Sequence, residues 1–215
     1  MASYQAKEYY QDETVVSAYD RVRFIGISGT IVNWLEQRLL MRAMAGVRPG
    51  GAVLDLPVGT GRMARRLAAA GYRVVGADVS APMLQLAREL AKESREPAGL
   101  LRGDAESLPF ADETFDAAVC FRLLPHLPAE ARAKILREMA RVAHRVIAVY
   151  QPHKASIWWM LNGLILRRRM PRHYVSAKEL QEELAGSGLR VIRSHALLRG
   201  VLMSRAYVLE PVASD

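Results

Sequence analysis

The run Val53-Leu54-Asp55-Leu56-Pro57-Val58-Gly59-Thr60-Gly61-Arg62 constrains this chain more than any other stretch. An apolar segment ends in an acid, a Gly-x-Gly turn follows four residues after that acid, and a helical pattern runs from Arg62 to Ala70 until Gly71 stops it. This is a strand, a tight turn and a helix. Glycine has no side chain and tolerates positive φ, so backbone here can approach a ligand closely. The helix amino end adds unpaired N–H groups. The turn is built to hold a small polar cofactor.

The same alternation continues. Strands are predicted at about 52–57, 73–78, 99–103, 115–121 and 145–151, and helices at about 61–70, 81–94 and 129–143. Strands alternating with helices imply an α/β fold around a parallel sheet. Ser80 caps the second of these helices, with Pro82 in its first turn. Ahead of the motif, Thr30 to Ala45 shows helical spacing of Ile31, Trp34, Leu35, Leu39 and Ala43, ended by Gly46 and Pro49. Past residue 151 the pattern changes to a basic, aromatic insertion up to Tyr174. Ser176-Ala177-Lys178-Glu179 then reads as a capping box starting a helix to about Ala185, and 189–198 and 202–209 as a closing pair of strands.

Two cofactors suit the turn. Gly59-x-Gly61-x-x-Ala64 with Asp78 beyond it satisfies the dinucleotide fingerprint, which leaves an NAD(P)-dependent oxidoreductase as one reading. Three features favour S-adenosylmethionine. Asp55 stands where phosphates would be repelled but an ammonium group would be held. Leu101-Arg102-Gly103-Asp104-Ala105 ends a third strand in an acid suited to the amino group of adenine. About fifty residues precede the motif, whereas dinucleotide folds often begin with it.

With Val74-Val75-Gly76-Ala77-Asp78-Val79-Ser80, Gly103-Asp104-Ala105-Glu106-Ser107-Leu108-Pro109-Phe110 and Thr114-Phe115-Asp116 in the same order, the chain resembles the class I S-adenosylmethionine-dependent methyltransferases, in particular the ubiquinone/menaquinone-biosynthesis-like small-molecule group. The resemblance covers roughly residues 15 to 210, and Pro57 departs from it, standing where many members carry a small or acidic residue. It implies a Rossmann-like, seven-stranded, mostly parallel sheet with an antiparallel final hairpin and helices on both faces. It implies a helical amino-terminal extension or lid over 1–50 and a methyltransferase domain over 51–215, with an acceptor-side insertion at 151–175. It also implies that Gly59 and Gly61 contact the methionyl part of S-adenosylmethionine with Asp55 in support. Asp78 then accepts from the ribose hydroxyls, and Asp104 accepts from adenine beside the Ala105 backbone. Tyr19 belongs to a Tyr-Asp segment that closes over the cofactor in many relatives.

The acceptor side is read from the ends of the fourth and fifth strands. Phe121 offers an apolar wall against the sulfonium, or plain core. Arg122 offers a cation for an anionic acceptor, or a solvated surface group. His126 and His153 are candidate general bases, because imidazole titrates near neutral pH; a structural role is the alternative for each. In the insertion, Ile157-Trp158-Trp159-Met160-Leu161 with Arg167-Arg168-Arg169 pairs an apolar wall with a cationic end. Trp158 and Arg168 are its candidate acceptor contacts, with a peripheral membrane contact, helix packing or a dimer contact as the other roles.

Composition bounds the rest. A chain of 215 residues that is 51% hydrophobic suits one domain with one sizeable core. The single Cys120 excludes an intrachain disulfide and argues against a cysteine-built metal site; no metal is expected. Residues 1–20 do not read as a signal peptide, and 157–166 is too short to span a bilayer, so a cytoplasmic place, with membrane contact at most peripheral, is expected. The net charge of +8 is assigned mostly to solvated helix faces, with Arg62, Arg65, Arg66, Arg88, Arg95, Arg132, Arg137 and Arg141 in amphipathic helical patterns, and no specific nucleic acid is predicted. The sequence thus points to methyl transfer onto a small, hydrophobic molecule at oxygen, nitrogen or carbon. A non-catalytic S-adenosylmethionine-binding protein is the other alternative. Oligomeric state is not legible.

Overall fold

The computed structural model describes residues 11–12, 16, 26–94, 99–150, 177–196 and 204–212. In chain order the elements are α1 (Gly26–Ala43), β1 (Ala52–Asp55), α2 (Arg62–Ala68), β2 (Arg73–Asp78), α3 (Ala81–Ser94), β3 (Gly99–Arg102), β4 (Ala117–Phe121), a 3₁₀ turn (Leu124–His126), α4 (Ala129–Val142), β5 (Val146–Tyr150), α5 (Ala177–Gly186), β6 (Leu189–Ala196) and β7 (Arg205–Pro211). The expected alternation is present, with boundaries displaced by a few residues. β1 stops early for a local reason: the Leu56 amide still donates to the Val119 carbonyl at 2.9 Å, but Pro57 has no N–H with which to continue the ladder.

The seven strands lie in the order β3-β2-β1-β4-β5-β7-β6. Strands β1 to β5 are mutually parallel, β7 runs antiparallel to β5, and β6 pairs antiparallel with β7. β4 and β5 are buried along their whole length, as central strands covered on both faces must be. Alternate residues of β4 feed two cores. Ala118 and Cys120 join Leu136 and Met139 of α4 and Leu180 and Leu184 of α5. Ala117, Val119 and Phe121 join Leu39 and Leu40 of α1, Met63 and Leu67 of α2 and Leu84 of α3. Helices therefore cover both faces. The strand order reverses between β1 and β4, and in such sheets ligands bind outside the carboxyl ends of the strands at that switch point.

Two helix surfaces show what spacing alone did not decide. Ile31 and Trp34 do not face the core; they are 50% and 53% exposed. The buried face of α1 carries Glu36, Leu39, Leu40 and Ala43 instead. At about 3.6 residues per turn, Trp34 lies roughly 200° around the helix from Glu36, so turning Glu36 inward turns Trp34 outward. The helical arginines are not uniformly solvated either. Arg132 is 3% exposed and pairs through Nε and Nη2 with Glu183 of α5. Arg141 donates to the Leu108 and Phe110 carbonyls and to Glu138 and Asp112. Tyr19, His153, Trp158, Arg168 and the whole 151–175 insertion lie outside the described residues.

Candidate active site

The site grows from the end of β1. Gly59 has φ 51° and Gly61, which caps α2, has φ 74°. An L side chain rarely adopts either value, which explains glycine at both positions. The loop sits directly on β2: Val58 donates its amide to the Ala77 carbonyl at 2.8 Å. A Cβ on Gly76 would stand 2.5 Å from Val58 Cγ2. Gly76 is therefore part of the turn's construction, although its own φ is ordinary.

Asp55 is 1% exposed and neither of its carboxylate oxygens accepts a hydrogen bond. Burial pushes its pKa up to about 8, against the pull of the Arg62 cation and of the Ala64 amide, which falls short of hydrogen-bond geometry; Asp78 adds to the rise. A buried, unsatisfied carboxyl at the switch point is a costly arrangement unless a ligand group completes it. Behind it, burial pushes the Cys120 thiol up to about 12, with Asp55 the second cause, so that sulfur stays protonated and unreactive.

Asp78 ends β2 and is differently engaged. Its Oδ2 accepts from the Gly59 amide and its Oδ1 from the Ser80 amide, each at 2.9 Å. Burial raises its pKa, and the Ser80, Gly59 and Val79 amides oppose the rise. Its carboxylate braces the glycine turn from below, and each oxygen retains a lone pair for another donor. Ser80 caps α3 as expected, accepting from the Met83 amide at 3.2 Å. After β3, Asp104 Oδ1 accepts from the Glu106 amide at 3.1 Å and the Asp104 carbonyl accepts from Ser107 at 3.0 Å. That closes a tight turn with Ala105 buried inside it. The three acids, the two glycines and Ala105 thus stand along one edge of three adjacent strands, β1, β2 and β3.

The β4 end holds a network that sequence reasoning missed. Glu36 of α1 is 1% exposed and takes two guanidiniums. Arg62 Nη2 donates to it at 2.8 Å, and Arg122 Nη2 donates to its other oxygen. Arg62 also donates to Asn33 Oδ1 at 2.6 Å and lies 5.7 Å from the centre of the buried Phe121 ring. Arg122, with φ 65°, is not a solvated surface group: its guanidinium pairs with Glu36 at the end of β4. The one available sequence signal was a single acid within the apolar register of α1. His126 ends the 3₁₀ turn, half-buried, at the same edge. Among the described residues no group of His, Cys, Asp and Glu is placed to hold a metal ion.

This arrangement fits S-adenosylmethionine: an orphaned carboxyl for an ammonium, a side-chain-free turn, a second carboxylate with spare lone pairs, and an apolar ring beside them. Known proteins agree. Residues 53–145 match the family model described as a methyltransferase domain. The demethylmenaquinone methyltransferase of Lactiplantibacillus plantarum is 38% identical over 187 residues, covering 79% of this chain and 76% of that protein. The demethylmenaquinone methyltransferase of Paenarthrobacter aurescens is 33% identical over 161 residues, 74% of this chain, which spans only 61% of that relative's length. The magnesium protoporphyrin IX methyltransferase of Synechocystis, solved with bound S-adenosylhomocysteine, superposes with a TM-score of 0.78 at 20% identity, covering 96% of this chain and 98% of the other. These findings displace both the nicotinamide and the non-catalytic alternatives. The chain belongs to the class I S-adenosylmethionine-dependent methyltransferases of the quinone-biosynthesis type, with S-adenosylmethionine as its methyl donor.

Proposed function

We propose that this enzyme methylates a hydrophobic, quinone-like small molecule, and that Asp55, Gly59, Gly61, Asp78, Asp104, Ala105 and Phe121 hold its cofactor. The observation that carries the cofactor assignment is the buried Asp55 carboxyl with no hydrogen-bond donor of its own. The acceptor class is supported by the relatives that act on demethylmenaquinone.

Bound S-adenosylmethionine supplies a methyl group already activated by a sulfonium. The chain's residues supply the rest. Asp55 gives up its proton and pairs with the ammonium. Asp78 keeps two amide bonds to the turn and offers its remaining lone pairs to ribose hydroxyls, so turn and ribose are held by one group. Asp104 and Ala105 receive adenine, and Phe121 walls the reacting centre with apolar surface, keeping water from it. Alignment is the main catalytic task, since an activated methyl needs an in-line nucleophile more than it needs acid catalysis. Where the acceptor loses a proton as it reacts, His126, beside the β4 end, and His153, past β5, are the bases of this proposal.

The acceptor reaches this edge under the 151–175 insertion, with Trp158 against its apolar body and Arg168 at its polar end. The 1–50 extension, through Tyr19, closes over the cofactor, and 51–215 forms the catalytic domain. The basic, aromatic composition of 157–169 supports a peripheral membrane contact at the insertion. Among the described residues no helix is long and apolar enough to cross a membrane.

The test is turnover. Purified enzyme is incubated with labelled S-adenosylmethionine and a short-chain demethylated naphthoquinol, and products are resolved by mass and label. A labelled quinol heavier by one methylene supports the reading. Cofactor binding with no methyl transfer to naphthoquinols or benzoquinols refutes the acceptor class and leaves the cofactor site standing.

A further inference from the structure

A buried carboxylate and two guanidiniums stand beside the ring that walls the reacting centre. Glu36 of α1 is 1% exposed and takes Arg62 Nη2 on one oxygen at 2.8 Å and Arg122 Nη2 on the other. The Arg62 and Arg122 side chains are themselves only 13% and 14% exposed. Arg62 opens α2 directly after the Gly61 cap, and its guanidinium carbon lies 5.7 Å from the centre of the Phe121 ring. Arg122 is the residue that follows Phe121, the last of β4. Register brings these groups to one face of the sheet. Asp55 pairs with Val119 of β4, and Val119 and Phe121 share a core with Leu39 and Leu40 of α1 and Met63 of α2. Burial raises the Asp55 pKa and the Arg62 cation opposes that rise, so the Arg62 charge reaches the cofactor side of the network.

Charge in this place bears on one property of the cofactor. The reaction breaks the sulfur–methyl bond, leaves its electron pair on sulfur and bonds the methyl carbon to the acceptor. The sulfonium thereby becomes a neutral thioether. Donor and product differ by one methyl group and one positive charge, and they share adenosine, carboxylate and ammonium. A guanidinium near the sulfur disfavours the donor relative to the product, and a carboxylate there favours it. Water screens a network this buried only weakly, so a unit charge acts beyond its own contacts. An aromatic face attracts a cation, and at Phe121 Arg62 already lies by the ring that the sulfonium would approach. With one oxygen on each guanidinium, Glu36 offsets both cations and acts on the cofactor through its charge.

With the cofactor seated against Asp55 and Phe121, a placement on which this inference rests, we propose that Glu36 is a specificity-determining counter-charge. Acting through Arg62 and Arg122, it sets the preference for the cationic methyl donor over its neutral product. Calorimetry at fixed salt measures the dissociation constants of S-adenosylmethionine and S-adenosylhomocysteine for the wild type, Glu36→Gln, Arg122→Gln and the double variant. Glu36→Gln keeps the shape of the side chain and removes its charge. The ratio of the S-adenosylmethionine constant to the S-adenosylhomocysteine constant should rise about fivefold or more in Glu36→Gln. It should fall in Arg122→Gln and return towards the wild-type value in the double variant, whose network carries the wild-type charge. An unmoved ratio in Glu36→Gln, including an equal loss of affinity for both ligands, overturns the counter-charge and leaves Glu36 a structural residue. If Glu36→Gln does not fold, Arg122→Gln decides by sign, and an unchanged or higher ratio there overturns the proposal. A wild type that binds neither ligand refutes the cofactor placement itself, whereas binding of both with unmoved ratios refutes the counter-charge alone.

Discussion

Replacing Asp55 by asparagine is expected to stabilise the cofactor-free protein while removing its affinity for the cofactor. The carboxyl is buried and accepts no hydrogen bond, and burial pushes its pKa from an ordinary 3.8 up to about 8. Because the folded-state pKa is raised, the folded protein holds a proton that the unfolded chain releases. Stability from this group is greatest below about pH 4, falls as pH climbs to about 8, and is level beyond that. At about 1.4 kcal/mol per pKa unit, Asp55 costs about 4 kcal/mol at pH 7. Asparagine removes the ionisation but leaves an unpartnered amide, which returns about 1–3 kcal/mol of that. The net gain of about 1–3 kcal/mol corresponds to a melting temperature higher by roughly 2–12 °C. Melts of both proteins at about pH 5 and about pH 8 read this directly, and the variant's advantage should appear at the higher pH. Calorimetry with S-adenosylhomocysteine reads the other half. Pairing with the ammonium draws the proton from Asp55, so wild-type affinity should rise by up to about tenfold per pH unit and flatten near pH 8, with proton release. The asparagine variant should bind weakly with little pH dependence. A variant that melts below the wild type at pH 8 refutes the burial argument. Retained affinity in the variant, or a pH-independent wild type, refutes the ammonium pairing.

Three other outcomes are expected. Glu36→Ala takes the buried carboxylate away from the Arg62 and Arg122 guanidiniums and should cost about 3–5 kcal/mol in urea unfolding; a loss below about 1 kcal/mol would show that the network is dispensable. Gly76→Ala drives a Cβ to 2.5 Å from Val58 Cγ2 and should lose about 1–3 kcal/mol together with cofactor affinity. Adding Val58→Ala should recover part of both, and strictly additive losses in that double variant would reject the clash. Arg141→Ala releases the Leu108 and Phe110 carbonyls and the Glu138 carboxylate that hold the segment following Asp104. Steady-state kinetics should show the cofactor KM raised several-fold with kcat nearly unchanged, and a kcat loss at constant KM would place Arg141 in a different role.

Much of the molecule follows from local chemistry that a sequence displays. Continuous apolar runs ending in acids, the Gly59 and Gly61 turn and the Ser80 cap are each decided within a few residues, and all stand where local reasoning puts them. Their shared edge also follows, since strands joined through helices run parallel and bring their carboxyl ends together. Polar partners were decided only by the tertiary structure. Glu36 meets Arg122 across 86 residues of chain, and Arg132 meets Glu183 across 51. A guanidinium in an amphipathic helix looks the same in sequence whether water or a buried carboxylate receives it. Hydropathy period records which side of α1 is apolar on average; it does not record that a carboxylate bound by two arginines turns inward and carries Ile31 and Trp34 out to solvent. The meeting of α1 with β6 and β7 was equally hidden, because those segments are distant in sequence and come together only after the sheet is assembled.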